Sequence, residues 1–290
     1  MRKNVHNLLR AAFAVILLIA VPSVGMSQSI WLPSSEGNSV SLEVFKADWA
    51  GDNNVTFASS AWFLTGRYQA SSSITFVGEL PLSHFELKSV GIFNPEADNA
   101  VGNPYLGILF NPENSGLIGE AGVRVPITPD DEFGASVNGW YSEFDRWEAF
   151  IPDLLTVRGR LGGKVISSSG NIHARFLGGG TFWIPTERGD PELFADAVAQ
   201  FWFQEDQFMF GATLSGRSLL TQQGLNFTER SEFQLGFGAS GTFGNVRPGF
   251  HVHIPLGGDG LIGVGEVVDA VFGVNITLLF GRPGGTDSLE

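Results

Sequence analysis

The chain has 290 residues, no cysteine, and a formal net charge of −13, with 43% hydrophobic and only 16% charged residues. A chain this acidic lacks the basic face that nucleic-acid binding needs, and without cysteine it cannot be a disulfide framework. The 38 glycines and 25 phenylalanines, set against few charges, suit strands that meet lipid and bend around a barrel.

The first segment reads as a targeting signal. Arg2, Lys3 and Arg10 precede an apolar run from Ala11 to Val21, which Pro22 ends; Gly25 and Ser27 then fit a cleavage site before Gln28. The run is short for a spanning helix. Residues 1–27 are therefore expected to be a secretory signal peptide, leaving 28–281 for one β domain and 282–290 as a polar tail.

From there the dominant signal is alternation of apolar and polar side chains. Successive residues of a strand face opposite sides, and the alternation predicts twelve strands. They lie near 39–48, 57–69, 73–84, 102–111, 117–127, 154–166, 171–184, 193–204, 208–219, 232–243, 246–256 and 270–280. The connections near 70–72, 112–116, 167–170, 205–207 and 244–245 are short, and those between them are longer. Short periplasmic turns alternating with long external loops, around ten-residue amphipathic strands, mark a transmembrane antiparallel up-and-down β-barrel of the bacterial outer membrane.

The outward faces agree. Leu155, Val157, Leu161 and Val165, then Phe233, Leu235 and Phe237, then Phe250, Val252 and Ile254 carry no charge. Tyr68, Phe110, Phe203, Phe208, Phe243 and Phe280 gather beside the short turns as one aromatic girdle, with Trp62 and Phe182 toward the other side. A soluble sandwich also alternates, but its solvent face carries more charge.

The inward faces carry the candidate pore lining. By parity these are Arg67, Glu79, Glu120, Arg124, Arg158, Arg160, Lys164, His173, Arg175, Asp196, Arg217, Arg247, His251 and His253, with Glu43 as a further inward acid. Eight basic side chains against four acids leave about +4 in the lumen, while Glu143, Asp145 and Glu148 fall in a loop at the rim. A basic lumen between low-dielectric walls draws in small anions. The alternative is a lumen closed by ion pairs, with Arg67–Glu79 and Glu120–Arg124 as candidates, since a twelve-strand barrel is intermediate between filled and wide ones.

The long connection 128–153 has its own pattern. Trp140, Phe144, Trp147 and Ile151 recur at helical spacing. They are expected either to form a lid over the external mouth or to pack a short helix on neighbouring loops.

Other motifs carry less. Gly236 to Gly241 matches a dinucleotide-binding spacing but lies within a period-2 strand. His251 and His253 share a face yet lack a third metal ligand. Ser83 and His84, with Glu86 or Asp98 nearby, are the only candidates for a lipid hydrolase at the rim, and adjacent strand residues face opposite ways. No catalytic residue, metal or cofactor is expected. The expected partners are outer-membrane lipid, small-molecule solutes and the barrel-assembly machinery.

Four stretches add a resemblance: Gly78-Glu-Leu-Pro81, Gly102-Asn-Pro-Tyr-Leu-Gly107, Gly122-Val-Arg-Val-Pro-Ile-Thr128 and Val267-Val-Asp-Ala-Val-Phe-Gly273. With them, residues 55–281 resemble outer-membrane transporters of the type assigned to the meta-pathway of phenol degradation. The resemblance implies a barrel that admits small aromatic or other hydrophobic compounds, and it brings no substrate-binding residue with it. Unlike the usual ending of such barrels, Phe280 is followed by further residues. The function expected is a passive outer-membrane channel for small anionic or aromatic solutes, with a non-conducting structural or adhesion barrel as the alternative and a lipid hydrolase third.

Overall fold

The structure is a computed structural model that describes residues 37–51, 55–88, 97–112, 115–205, 207–222, 224–257 and 263–280. The expected signal peptide and polar tail lie outside these residues. The wall is built from β1 (Asn38–Trp49), β2 (Ser60–Gln69), β3 (Ile74–Phe85), β4 (Asp98–Val101), β5 (Tyr105–Phe110), β6 (Leu117–Arg124), β7 (Leu154–Ile166), β8 (Ile172–Pro185), β9 (Glu192–Glu205), β10 (Phe208–Leu219), β11 (Ser231–Gly241), β12 (Val246–Pro255) and β13 (Val268–Phe280). Between β6 and β7 come the helix α1 (Phe133–Ser142) and a 3₁₀ segment (Phe144–Phe150). One helical turn, α2 (Val264–Val267), precedes β13.

Successive strands pair antiparallel, except that β3 takes both β4 and β5, and β1 pairs with β13 from Asn38↔Phe280 to Trp49↔Val268. This last pairing closes the sheet on itself, and closure removes the long open edges of a flat sheet. β4 and β5 both pair with β3, from Phe85↔Asp98 down to Ile74↔Phe110. They are two pieces of one wall strand interrupted at Gly102–Pro104, so the barrel has the twelve strands expected. The expected strand 102–111 thus begins earlier and is broken, and the one predicted to reach residue 127 stops at Arg124.

Alternation sets the two surfaces. Along β13, Phe272, Val274, Ile276 and Leu278 are exposed, while Val271, Gly273, Asn275 and Thr277 are buried. The exterior also presents Leu161, Val165, Phe176, Phe201, Phe210, Phe237 and Phe250. A contiguous apolar belt of this kind around a closed barrel is a lipid-facing surface. Tyr68, Phe110, Phe208, Phe243 and Phe280 sit exposed at strand ends beside the short turns, and Phe203 packs there on Phe210 with ring centroids 5.3 Å apart. Placing a charge at mid-wall should be costly: Phe237→Arg is expected to lose roughly 2–4 kcal/mol, read as a lower denaturant midpoint after refolding in lipid.

Candidate functional site

The lumen holds the chemistry, and the segment between β6 and β7 occupies its long-loop half. This corrects two expectations. The segment folds into the barrel and does not cover the mouth, and it is not one continuous helix. α1 ends at Ser142, Glu143 is extended at φ −149°, ψ 85°, and the chain continues as a 3₁₀ turn kinked at Arg146. The kink separates the four residues predicted to share a face. Phe144 and Trp147 are buried with Phe45, Phe63, Phe150, Phe194 and Leu219 in one cluster inside the wall, and Trp140 packs against its border. Gly139 makes the fold-back possible, because a Cβ there would run into the Phe150 ring.

The break in the wall at Gly102–Pro104 is what anchors the insert. Asn103 is fully buried, and its backbone N–H donates to Ala149 O at 2.5 Å. Its side-chain Nδ2 donates to Ile151 O at 2.7 Å and Glu148 O at 3.1 Å. Its Oδ1 accepts from Ile127 N, Thr128 N and Thr128 Oγ1 at 2.8, 3.0 and 2.9 Å. One amide therefore clamps both the start and the end of the insert. Gly102 must lack a side chain, since a Cβ would meet Ala149 O.

Three ionisable residues of the insert meet the wall. Arg146 reaches Glu79 at 2.6 Å, Glu43 at 3.0 Å and Glu143 at 3.0 Å, and its guanidinium lies 3.8 Å from the Phe63 ring centre. Glu148 accepts from Arg158 and from Arg217 (2.9 Å), with Arg124 at 3.8 Å. Asp145 accepts from Ser215 Oγ at 2.9 Å, and its backbone carbonyl accepts from Arg158 at 3.1 Å and Arg217 at 3.3 Å. All these insert residues are buried. Burial alone would raise the Glu148 carboxyl, but Arg158, Arg217 and Arg124 outweigh it and hold it at about 2. Burial, joined by the neighbouring Glu143, pushes Asp145 up to about 7.

The wall residues predicted to line a pore are brought together in two groups. Toward the long loops, Arg124 donates to Glu79 at 2.5 Å and Arg217 to Asp196 at 2.6 Å, and Asp196 also accepts from Thr181 at 2.5 Å. Glu79 therefore pairs with Arg124 and Arg146, not with Arg67. Glu120 accepts from Tyr105 Oη at 2.9 Å, not from Arg124. The Tyr105 ring lies flat on the inner wall where Gly107 and Gly122 leave room for it; a Cβ at either would strike the ring.

Toward the short turns lie Arg67, Arg160 and Arg175, with Arg175 donating to Gln200 Oε1 at 2.6 Å. Lys164, His173 and Arg247 sit at this rim. Lys164 donates to Asn111 Oδ1, the His173 ring stacks on Trp202 at 5.3 Å, and Arg247 donates to Thr242 Oγ1 at 3.0 Å. His251 and His253 do not face an open pore. Both are buried, and His251 stacks on Phe45 at 4.9 Å. Among the described residues no group of three or more potential ligands gathers around a metal position.

Glu143, Asp145 and Glu148, expected at the rim, are buried inside. Glu232, absent from the expected lining, pairs in register with Arg217 and is buried. With Arg146 added to the eight inward cations and these four acids to the other side, the predicted excess of about four positive charges falls to about one. The remaining positive charge is concentrated toward the short turns. Parity alone could have found Glu232. Asn103 and Arg146 had only weak signals: a Gly-Asn-Pro break in a strand, and charges interleaved with aromatics inside a long loop.

The rim pair Ser83 and His84 does not assemble. Ser83 is buried and bonded by Asn138 Nδ2 at 3.3 Å, while the His84 ring pairs with Asn99 at 2.9 Å. Asp98 instead accepts from Gly134 N, and Glu86 from Thr56.

No family model and no curated protein matches this sequence. The fold is shared with solved structures. An outer membrane channel from Pseudomonas putida F1 superposes with a TM-score of 0.58 at 12% identity, covering 88% of this chain and 99% of that one. The translocator domain of the autotransporter NalP from Neisseria meningitidis gives 0.52 at 9% identity, over 96% of this chain and 97% of that one. LpxR from Salmonella typhimurium gives 0.51 at 12% identity, over 83% and 100%. These likenesses are in architecture. A closed twelve-strand barrel with a lipid-facing belt and these structural neighbours is a protein of the bacterial outer membrane.

Proposed function

We propose that the protein is a gated passive channel for small solutes, with the β6–β7 insert as its gate and a preference for anionic or aromatic compounds. The observation that carries this reading is the way the insert is seated. Its charged side chains pair with wall charges on both sides of the lumen: Arg146 with Glu43 and Glu79, Glu148 with Arg158 and Arg217. A permanent plug is served as well or better by apolar contact, because a buried ion pair gains little over a hydrophobic replacement. Charge pairs instead fix one closed position, and water can take their place when the insert leaves. The basic excess toward the short turns favours anions. The aromatic cluster around Phe45, Phe63 and Trp147 offers an apolar solute a surface once the insert shifts. The resemblance to transporters assigned to phenol degradation points the same way. No catalysis belongs to the proposal: His84 is engaged by Asn99 and Ser83 faces the other side of the wall.

The test is conductance in planar bilayers. Wild-type protein is expected to stay closed with brief openings, and deletion of 133–150 should raise mean conductance about tenfold or more, with anions carrying most of the current. An insert-deleted barrel that refolds and still passes no current would overturn the channel. A cation-selective current would overturn the stated preference.

A further inference from the structure

Below the insert, three arginines from three strands face the same space with too few acceptors. Arg67 of β2 is buried, yet its Nε and Nη1 have no hydrogen-bond partner. Arg160 of β7 is buried with its Nε likewise unmet, and Asp196, its nearest carboxylate at 3.7 Å, is already held at 2.6 Å by Arg217. Arg175 of β8 is partly buried and uses Nε on Gln200. Arg175 interacts electrostatically with both Arg67 and Arg160, so neighbouring strands β7 and β8 and the more distant β2 bring like charges together. Glu120 interacts with Arg67 and Arg175 and takes the Tyr105 hydroxyl, and Asp145 of the insert interacts with Arg160.

Buried guanidinium N–H groups without acceptors are costly, and like charges held together cost more. A folded barrel keeps such an arrangement where something else completes it. Water can solvate these donors in part. An oxyanion does more, since it supplies negative charge and paired oxygens that match the guanidinium fork.

We infer that Arg67, Arg160 and Arg175 form a binding seat for a small oxyanion, a carboxylate or phosphate group, entering from the short-turn end. The site rests on the channel reading only for its purpose; binding itself needs no conduction. In a channel it would hold an anionic solute beneath the closed insert. Gln200, fixed by Arg175 at 2.6 Å and donating to Thr213 at 3.2 Å, borders the seat and keeps the Arg175 fork from turning away.

The experiment titrates full-length refolded protein in detergent, without a gradient, with benzoate, succinate and inorganic phosphate in separate arms at constant ionic strength set by chloride. Thermal stability is the readout, because a ligand that binds only the folded state raises it in proportion to occupancy. A saturable rise is expected in at least one arm, and Arg67→Gln should weaken it about tenfold or more. Arg175→Gln should do the same, and its partly exposed side chain keeps the test open if Arg67→Gln does not refold. Arg188→Gln, in an exposed loop, should leave binding unchanged. The three arms separate a carboxylate solute from free phosphate. No saturable rise in any arm would overturn the seat, and so would a rise that survives both arginine substitutions. A protein that binds but never conducts would overturn the channel and leave the seat standing.

Discussion

Replacing Glu148 by alanine should be among the most damaging single changes in the molecule. The carboxylate stands between Arg158 and Arg217, with Arg124 beyond, and it is buried with them. Removing it leaves three guanidinium groups without the carboxylate they share, although Glu79 still holds Arg124 and Asp196 still holds Arg217. Breaking a buried pair in this way costs about 3–5 kcal/mol, because the surviving charges keep their desolvation and lose their attraction. The insert should loosen at its 3₁₀ segment while the wall, held by strand pairing, stays closed. Two readouts separate these effects. Denaturant unfolding followed by tryptophan fluorescence should show an early transition from Trp147, and bilayer recordings should show frequent openings. Glu148→Gln keeps the shape and one acceptor, so it should fall between wild type and alanine. An alanine variant with unchanged stability and unchanged gating would mean that the charge network does not hold the insert.

The second large effect belongs to Asn103. Its side chain makes two donations and accepts three hydrogen bonds, all at a buried position. In Asn103→Ala the amides of Ile127 and Thr128 and the carbonyls of Glu148 and Ile151 lose their partners together. A buried group left unmet costs about 1–3 kcal/mol, so the sum should exceed that of an ordinary core truncation. Asn103→Asp tests the chemistry separately. It keeps the acceptor and loses both donors, and it should release the end of the insert while the start stays bound. Hydrogen exchange of residues 125–128 against 148–151 would distinguish the two. Equal protection in wild type and Asn103→Ala would remove the clamp from the account.

The wall was legible because lipid and lumen impose opposite demands on adjacent residues, and a period of two survives in the sequence wherever they do. β13, β1 and β12 follow it almost residue by residue. Arg67, Arg124, Arg158, Arg160 and Arg217, which parity turns inward, are buried. What parity could not supply is contact between segments far apart in the chain. Arg146 and Glu79 are 67 residues apart, and Arg217 and Glu148 are 69. No local spacing encodes such pairs. The inward fold of the insert was hidden for a related reason. Its aromatics do recur at helical spacing, but Glu143 ends the helix in the middle of the pattern, and the kink at Arg146 follows from what the wall offers it. Pairing within the wall was likewise predicted from neighbouring residues, as Arg67–Glu79. Arg124 and Arg146 hold Glu79 instead, and Arg67 keeps its Nε and Nη1 unmet.

The reach of the insert has a mechanical consequence. Arg146 grips β1 and β3 on one side, while Glu148 and Asp145 grip β7 and β10 on the other. A cylinder of twelve strands is stiff along its ladders but soft to flattening, since ovalisation changes few hydrogen bonds. A hub with spokes to opposing staves resists that squeeze. Lateral pressure from the bilayer therefore acts on the spokes as well as the staves, and a membrane under tension should bias the hub's hold on its rim.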